Sequence, residues 1–474
     1  MHATFLGPDF LLSTDVAREL FHDGASALPI VDVHNHLVPA DIADDRRWST
    51  LTELWLDDDH YKWRIMRAAG IDEQLITGDA DPFDKFTAWA AALQRSLRNP
   101  LYVWSHLELR RVFGIDLALS PSTAREIYDE ANSQLGRWTV RALLQHFKVR
   151  AVATTDDPVD ALDAHHRHRA SAASSDVAML PTFRPDAAHR LLDDPAAWGD
   201  WATRLGASTD TTVDGLDSLL GALGFSHARF STMGSRASDH GLASLPDRPR
   251  DPADADRVVR AVVDGKAATR DERDLVLLEV VALSARLAHE DDSVLQLHLG
   301  PMRNLSPRLL AQVGRDVGAD AVGDERQAAG LARLLGDLEA GGTLPRTVLY
   351  NLNPADNMVF GGIAGSFSRA GVPSFVQWGP PWWFNDQESG MRRQLDDLCQ
   401  VGQLAGFIGM LTDSRSMLSM TRHELFRRIL CDEIGQDVAT GRYPDDRDYL
   451  RSMVRDICVG NAVRFFGFPD AWAR

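Results

Sequence analysis

Cysteine is scarce in this chain: three in 474 residues, Cys399, Cys431 and Cys458, far apart and with no Cys-x-x-Cys pair. That excludes a disulfide scaffold and a thiolate metal site, and it suits a thiol-reducing cytoplasm. No run of about 18 apolar residues occurs, so no membrane span is expected. The N-terminal MHATFLGPDFLLSTD has no cationic region before its short apolar patch, so no signal peptide is expected either. Positive charge is in deficit, with 50 basic against 68 acidic side chains and a net charge of −18. Phosphate backbones and anionic membrane surfaces would be repelled, although a small anionic substrate could still meet a local arginine cluster. Heptads, repeats and low-complexity tracts are absent as well.

What the chain does carry is LPIVDVHNHLVP at 28–39. An apolar run leads into Asp32, His34 and His36 at every second position, and Pro39 ends it. In a β-strand such positions share one face, so two imidazoles and a carboxylate would project together and could grip one divalent cation. A second His-x-His, His166 to His168, lies in a polar stretch with no apolar strand before it, and predicts a solvated helix face.

Residues 9–22 predict a short amphipathic helix capped near Ser13 or Thr14. After the first strand, about a hundred residues (40–145) are helical in character. Short apolar strands then recur at 149–158, 177–186, 228–241 (the weakest), 294–304, 347–357, 373–386 and 407–416, separated by helix-like segments. Eight strand–helix units with polar bursts at the strand C-termini predict an α/β fold, a single (β/α)8 barrel over 1–474 with its site at the C-terminal mouth. Helical insertions are expected at 40–145 and 187–226, and an exposed loop and helix at 242–270. An open doubly wound sheet would need a glycine-rich loop after strand one, which VDVHNHLVP lacks. The barrel mouth would collect His34, His36, Thr155, Asp156, Arg184, Asp186, Asp239, His298, Arg303, Asn351, Asn353, Trp382, Trp383, Asp413 and Arg415.

Several longer stretches carry a family resemblance: DHYKWRIMR (59–67), NPLYVWSHLELRR (99–111), TTDDP (154–158), FRPD (183–186) and RASDHG (236–241). LHLGPMRN (297–304), LYNLNPADN (349–357), WWFNDQ (382–387) and GMLTDSRS (409–416) complete the set. The chain resembles uronate (glucuronate) isomerases, barrel enzymes of the metal-binding amidohydrolase superfamily. The resemblance implies an aldose–ketose isomerase acting on a small hexuronate. By the resemblance, His34, His36 and Asp413 match a metal site for a divalent ion, with zinc the first choice, and His298 lies beside it. His60, Tyr61 and Arg64 match a loop covering the sugar, while Arg184, Asp239, Trp383 and Arg415 match pocket positions. Asp413, Tyr61, Arg415 and His60 would then share the catalysis, with Arg184 gripping the substrate carboxylate. A homo-oligomer is compatible with the family. The competing expectation is a metal-dependent hydrolase of the same superfamily, which would use a further ligand histidine on a middle strand. The sixth strand offers Asn351 and Asn353 there instead.

Overall fold

The structure, a computed structural model, describes residues 4–473. Nine strands are present among them: β1 (Ile30–Asp32), β2 (Val149–Ala153), β3 (Ala178–Leu180), β4 (Ala237–Leu242) and β5 (Val294–Leu299), then β6 (Pro301–Met302), β7 (Ala321–Val322), β8 (Arg346–Asn351) and β9 (Val376–Trp378). β1, β2 and β3 pair in parallel, as do β4, β5, β8 and β9, while β6 and β7 form a small antiparallel ribbon off the end of β5. The two parallel groups are joined through Phe183, whose amide donates to the Ala237 carbonyl at 3.1 Å and whose carbonyl accepts from the Asp239 amide at 2.9 Å.

The eighth position is filled by 407–414, which makes no regular ladder. Its amides and carbonyls bond instead to the continuation of β1: Asp413 N to His34 O at 3.1 Å and His36 N to Ser414 O at 3.0 Å. On its other side Gln377 Nε2 donates to Gly406 O at 3.1 Å. The ring thus closes as a (β/α)8 barrel whose last strand is irregular. Gly409 explains the irregularity: its φ of +78° lies where the pleat cannot continue, and a Cβ there would strike the Ile457 carbonyl.

Alternating strands and helices give this order because each parallel pair needs a crossover. One strand expectation requires correction. Of 228–241, the first residues belong to the helix Leu216–Thr232, and the strand begins only at Ala237 after the turn at Gly234, φ +92°. The first helix is Asp15–His22, with Thr14 Oγ1 accepting from Ala17 N as its cap. Between β1 and β2 the chain runs through seven helices, several opened by side-chain caps (Thr50, Asp59, Asp81, Asn99, Thr139). The third of these, His60–Ala68, returns to the barrel mouth. Between β3 and β4 lie Ala187–Arg190, Pro195–Thr209 and Leu216–Thr232. The outer faces of the strands and the inner faces of the helices form the apolar core, for example Leu295 and Leu297 of β5 beneath Leu278 and Val281 of the helix Arg270–Glu290. No described helix is long and apolar enough to cross a membrane.

Candidate functional site at the barrel mouth

Period two persists past the end of β1. Asn35 points away and is tied down by Asn35 N to Ala153 O and Thr155 Oγ1 to Asn35 O. His34 and His36 therefore project into the mouth, where each Nε2 lies 3.1 Å from Asp413 Oδ1. Asp413 sits at φ +43°, a left-handed conformation that aspartate tolerates better than most residues. The cross-strand bonds of Asp413 N and His36 N impose it, and Trp382 Nε1 donates to the other carboxylate oxygen. Burial alone would raise the pKa of this carboxyl. Hydrogen bonds from His34 and His36 outweigh that and hold Asp413 well below the usual carboxylate range. His34 is fully buried, which opposes its charge, yet Asp239 and Asp413 raise it; His36 is lowered by burial, with Asp413 only partly compensating.

Behind this trio, Asp239 and His298 stand on β4 and β5. Asp239 Oδ1 bonds His298 Nδ1 at 2.7 Å, and the His298 ring lies between those of Tyr350 (4.2 Å) and His34 (4.4 Å). Burial depresses His298 to about 4, so it is neutral at pH 7. Arg184 reaches in between two carboxylates, Nη1 to Asp239 Oδ2 at 3.2 Å and Nε to Asp186 Oδ2 at 3.3 Å. Asp186 itself accepts from Gly241 N and His240 Nδ1, both at 2.9 Å.

His34, His36, Arg184, Asp186, His298 and Asp413 line the floor of a cavity of about 290 Å³, and Asp239 supports them from behind without lining it. Its outer wall includes His60, Arg190, Arg303, Asp316, Trp383 and Arg415. His60 is lowered to about 4, by burial first and by the Arg415 charge second. Arg303 lies over the Trp383 ring at 4.6 Å. Of the loop residues His60, Tyr61 and Arg64, only His60 lines the cavity. Successive helical residues are about 100° apart, so with His60 facing in, Tyr61 faces Trp104 and Arg422 and stacks on His60 at 4.6 Å. Arg64, one turn on, donates to the carbonyls of Gly318 (3.2 Å) and Asp320 (2.7 Å), pinning the 313–320 loop to this helix.

Asn351 and Asn353, expected at the mouth, are occupied structurally. Asn351 accepts from Trp378 Nε1 and donates to Asn357, and Asn353 caps the short helix after β8. In the second His-x-His, His166 is exposed as expected, whereas His168 is buried with Nε2 bonded to Val177 O, a correction that follows from its packing against β3. Arg190, Asp316 and Asp320 line the cavity without having been singled out, since they lie on a helix end and loops with no periodicity to mark them.

Three groups among the described residues have the donor set for a metal ion. Two share their carboxylate with arginine: Asp239 with Arg184 in one, and Asp186 with Arg184 and Arg190 in the other. A cation there would meet cations. His34, His36 and Asp413 are free of that conflict, and their 3.1 Å edges approach the roughly 3.3 Å expected around an ion bound at about 2.0–2.1 Å. The site therefore fits a divalent metal.

A family model described as glucuronate isomerase matches residues 2–466. The uronate isomerase of Vibrio vulnificus is 44% identical over 98% of this chain and 98% of its own length. Among solved structures, uronate isomerase from Thermotoga maritima superposes with a TM-score of 0.92 at 34% identity, covering 98% of this chain and all of the other. Glucuronate isomerase from Caulobacter crescentus gives 0.89 at 25% identity, with 98% of both chains covered. With the barrel, the histidine–aspartate centre and this agreement over nearly its whole length, the chain belongs to the glucuronate isomerase family of enzymes.

Proposed function

We propose that this enzyme interconverts an aldohexuronate and its ketose isomer, D-glucuronate with D-fructuronate and D-galacturonate with D-tagaturonate, by moving a proton between C2 and C1 through a cis-enediol. The observation that carries this reading is the meeting, in one cavity, of an ionised Asp413 and four arginines, Arg184, Arg190, Arg303 and Arg415. The chemistry needs a base, a donor and a cationic environment for the enediolate, and the substrate is an anion.

Asp413 is the base that removes the C2 proton and returns it at C1. Its low pKa keeps it ionised at any physiological pH. Arg415, at the end of the same irregular strand, stabilises the charge that develops on the enediolate oxygens. His60, neutral at pH 7, hydrogen-bonds the C1 oxygen. Tyr61 keeps its proton, because burial raises it well above its ordinary value despite the nearby Arg422, and it acts by holding the His60 ring. Asp239 and His298 fix the floor, and Trp383 forms a wall for the sugar. Arg184, already between two carboxylates, offers its remaining edge to sugar hydroxyls. A divalent ion held by His34, His36 and Asp413, zinc by its affinity for mixed imidazole and carboxylate ligands, would polarise substrate oxygens when bound.

Hydrolysis by a metal-activated water is the rival chemistry. It is disfavoured because Asn351, where a further ligand would be wanted, is locked to Trp378 and Asn357. Chromatography of D-glucuronate and D-galacturonate incubations, beside an aldonolactone, tests the choice. Ketose formation with intact lactone is expected; lactone hydrolysis with both uronates unchanged would refute the isomerase.

A further inference from the structure

The left-handed conformation of Asp413 persists only where its surroundings over-determine it. Both ends of the peptide that enters it are pinned. The Asp413 amide donates to His34 O at 3.1 Å, and the Thr412 carbonyl accepts from Arg422 Nη1 at 3.2 Å. Thr412 is held in turn by Asp32, whose two carboxylate oxygens accept from its amide at 2.8 Å and its hydroxyl at 2.6 Å. Arg422 stands in the first turn of the helix Thr421–Ala439, is buried, and does not line the cavity. The same Nη1 donates to Asp386 Oδ2 at 2.8 Å. Asp386 ends the segment 379–386 after β9, which carries Trp382, the donor to the second Asp413 oxygen. The guanidinium also lies over the Trp104 ring at 4.0 Å and the Tyr61 ring at 5.3 Å, and Tyr61 stacks on His60.

We propose that Arg422 is a positioning residue for the isomerisation, one buried guanidinium that sets both the backbone and the carboxylate of Asp413. This rests on the isomerase reading. The backbone is braced directly, through the Thr412 carbonyl. The carboxylate is braced through Asp386, which fixes the segment that presents Trp382. The ring contacts add a third support, because the helix bearing His60 packs its Tyr61 on the same guanidinium. Arginine suits the task and lysine does not. A planar guanidinium takes aromatic rings on its faces and acceptors along its edge, and the two hydrogens of Nη1 serve Asp386 and Thr412 together. A counter-ion for Asp386 would need only the charge; the bond to Thr412 O is what reaches the base.

Steady-state kinetics with D-glucuronate on the metal-saturated full chain test this. Arg422→Met alone would leave Asp386 buried and unpaired, so it is combined with Asp386→Asn. The double variant should lose about 100-fold in kcat, with KM within about 3-fold. Asp386→Asn alone still offers Arg422 an acceptor, and should lose less than about 5-fold in kcat. Arg422→Lys keeps the charge without the fork, and should stay at least about 10-fold below the wild type. Wild-type kcat in the double variant would show that Arg422 only neutralises Asp386 and would overturn the proposal, as would a loss confined to KM. Should the double variant not fold, Arg422→Lys decides, and wild-type kcat there overturns it. If the wild-type chain isomerises nothing, the isomerase reading fails. Calorimetric titration of zinc into the metal-free proteins then decides the positioning of Asp413. Affinity about 10-fold weaker in Arg422→Lys and in the double variant supports it, and unchanged affinity overturns it.

Discussion

The floor and the outer wall of the cavity are built in different ways. Floor side chains stand on or just beyond strand ends, and most are almost wholly buried (His34 1%, Asp239 0% and His298 1% exposed), with His36 the exception at 33%. Each is held by more than one partner at hydrogen-bond or ring-contact distance. The outer wall comes from loops, from the end of the helix Ala187–Arg190 and from the helix His60–Ala68; its ion pairs span 3.3–3.8 Å, with Arg303 and Arg415 about a third exposed. The difference teaches where each task resides. Chemistry needs preorganised groups that do not reorient during the reaction, and strand ends supply them. Recognition of an entering anion needs partners that can be given up, and loop side chains supply those.

The sharpest way to break this contrast is at the floor. Asp413→Asn keeps the shape but cannot accept a proton. Turnover of D-glucuronate should fall about 10³-fold with KM little changed, as measured by initial rates. Next in size is the metal. Replacing both His34 and His36 by alanine should abolish bound divalent ion, read by elemental analysis of dialysed protein, and unchanged metal content would contradict the assigned ligands. On the outer wall effects should be smaller. Arg64→Met removes two hydrogen bonds to loop carbonyls, so KM should rise about 3- to 10-fold while kcat holds; a large kcat loss would mean that the two walls are not separable in this way.

The smallest expected effect concerns Asp156, a cavity-lining carboxyl that burial pushes up to about 7 despite its bonds from Thr154 Oγ1 (2.7 Å) and Thr182 N (3.3 Å). In the unfolded chain the same group ionises near 4. Between those values the folded state holds a proton that the unfolded state has lost. The stabilisation is complete below about pH 4 and disappears as pH rises through 7. Asp156→Asn retains an acceptor for Thr154 and does not ionise. Its melting temperature relative to the wild type should climb between pH 5 and pH 8, on the order of 2–4 °C, in scanning calorimetry.

How much of this was legible beforehand depended on periodicity. β1, β2 and β5 announced themselves because apolar runs ended abruptly in polar residues, and the His-x-His alternation carried on past the ladder as the pleat requires. The fourth strand was placed too early because ARFST continues the helical pattern of Leu216–Thr232, and only Gly234 marks the change. The eighth was expected as a regular strand; it keeps its place in the ring but not its ladder, since the left-handed Gly409 is a conformational fact with no period. At the site, His34, His36, Arg184, Asp239, His298, Trp383, Asp413 and Arg415 were nameable from the sequence, and the structure brings them together. Tyr61 and Arg64 were nameable too, but which helical neighbour faces the cavity depends on how the insertion docks. Asp316 and Arg190 were invisible, because a loop and the end of a four-residue helix, neither with a periodicity to read, carry them to the mouth.

Proton transfer at C2 by Asp413 is the central claim, and a proton NMR time course in heavy water addresses it most directly. With D-glucuronate and the metal-loaded enzyme, D-fructuronate signals should appear with the wild type and grow about 10³-fold more slowly with Asp413→Asn. Unchanged spectra for both D-glucuronate and D-galacturonate after addition of zinc or manganese, or full activity in Asp413→Asn, would contradict the account.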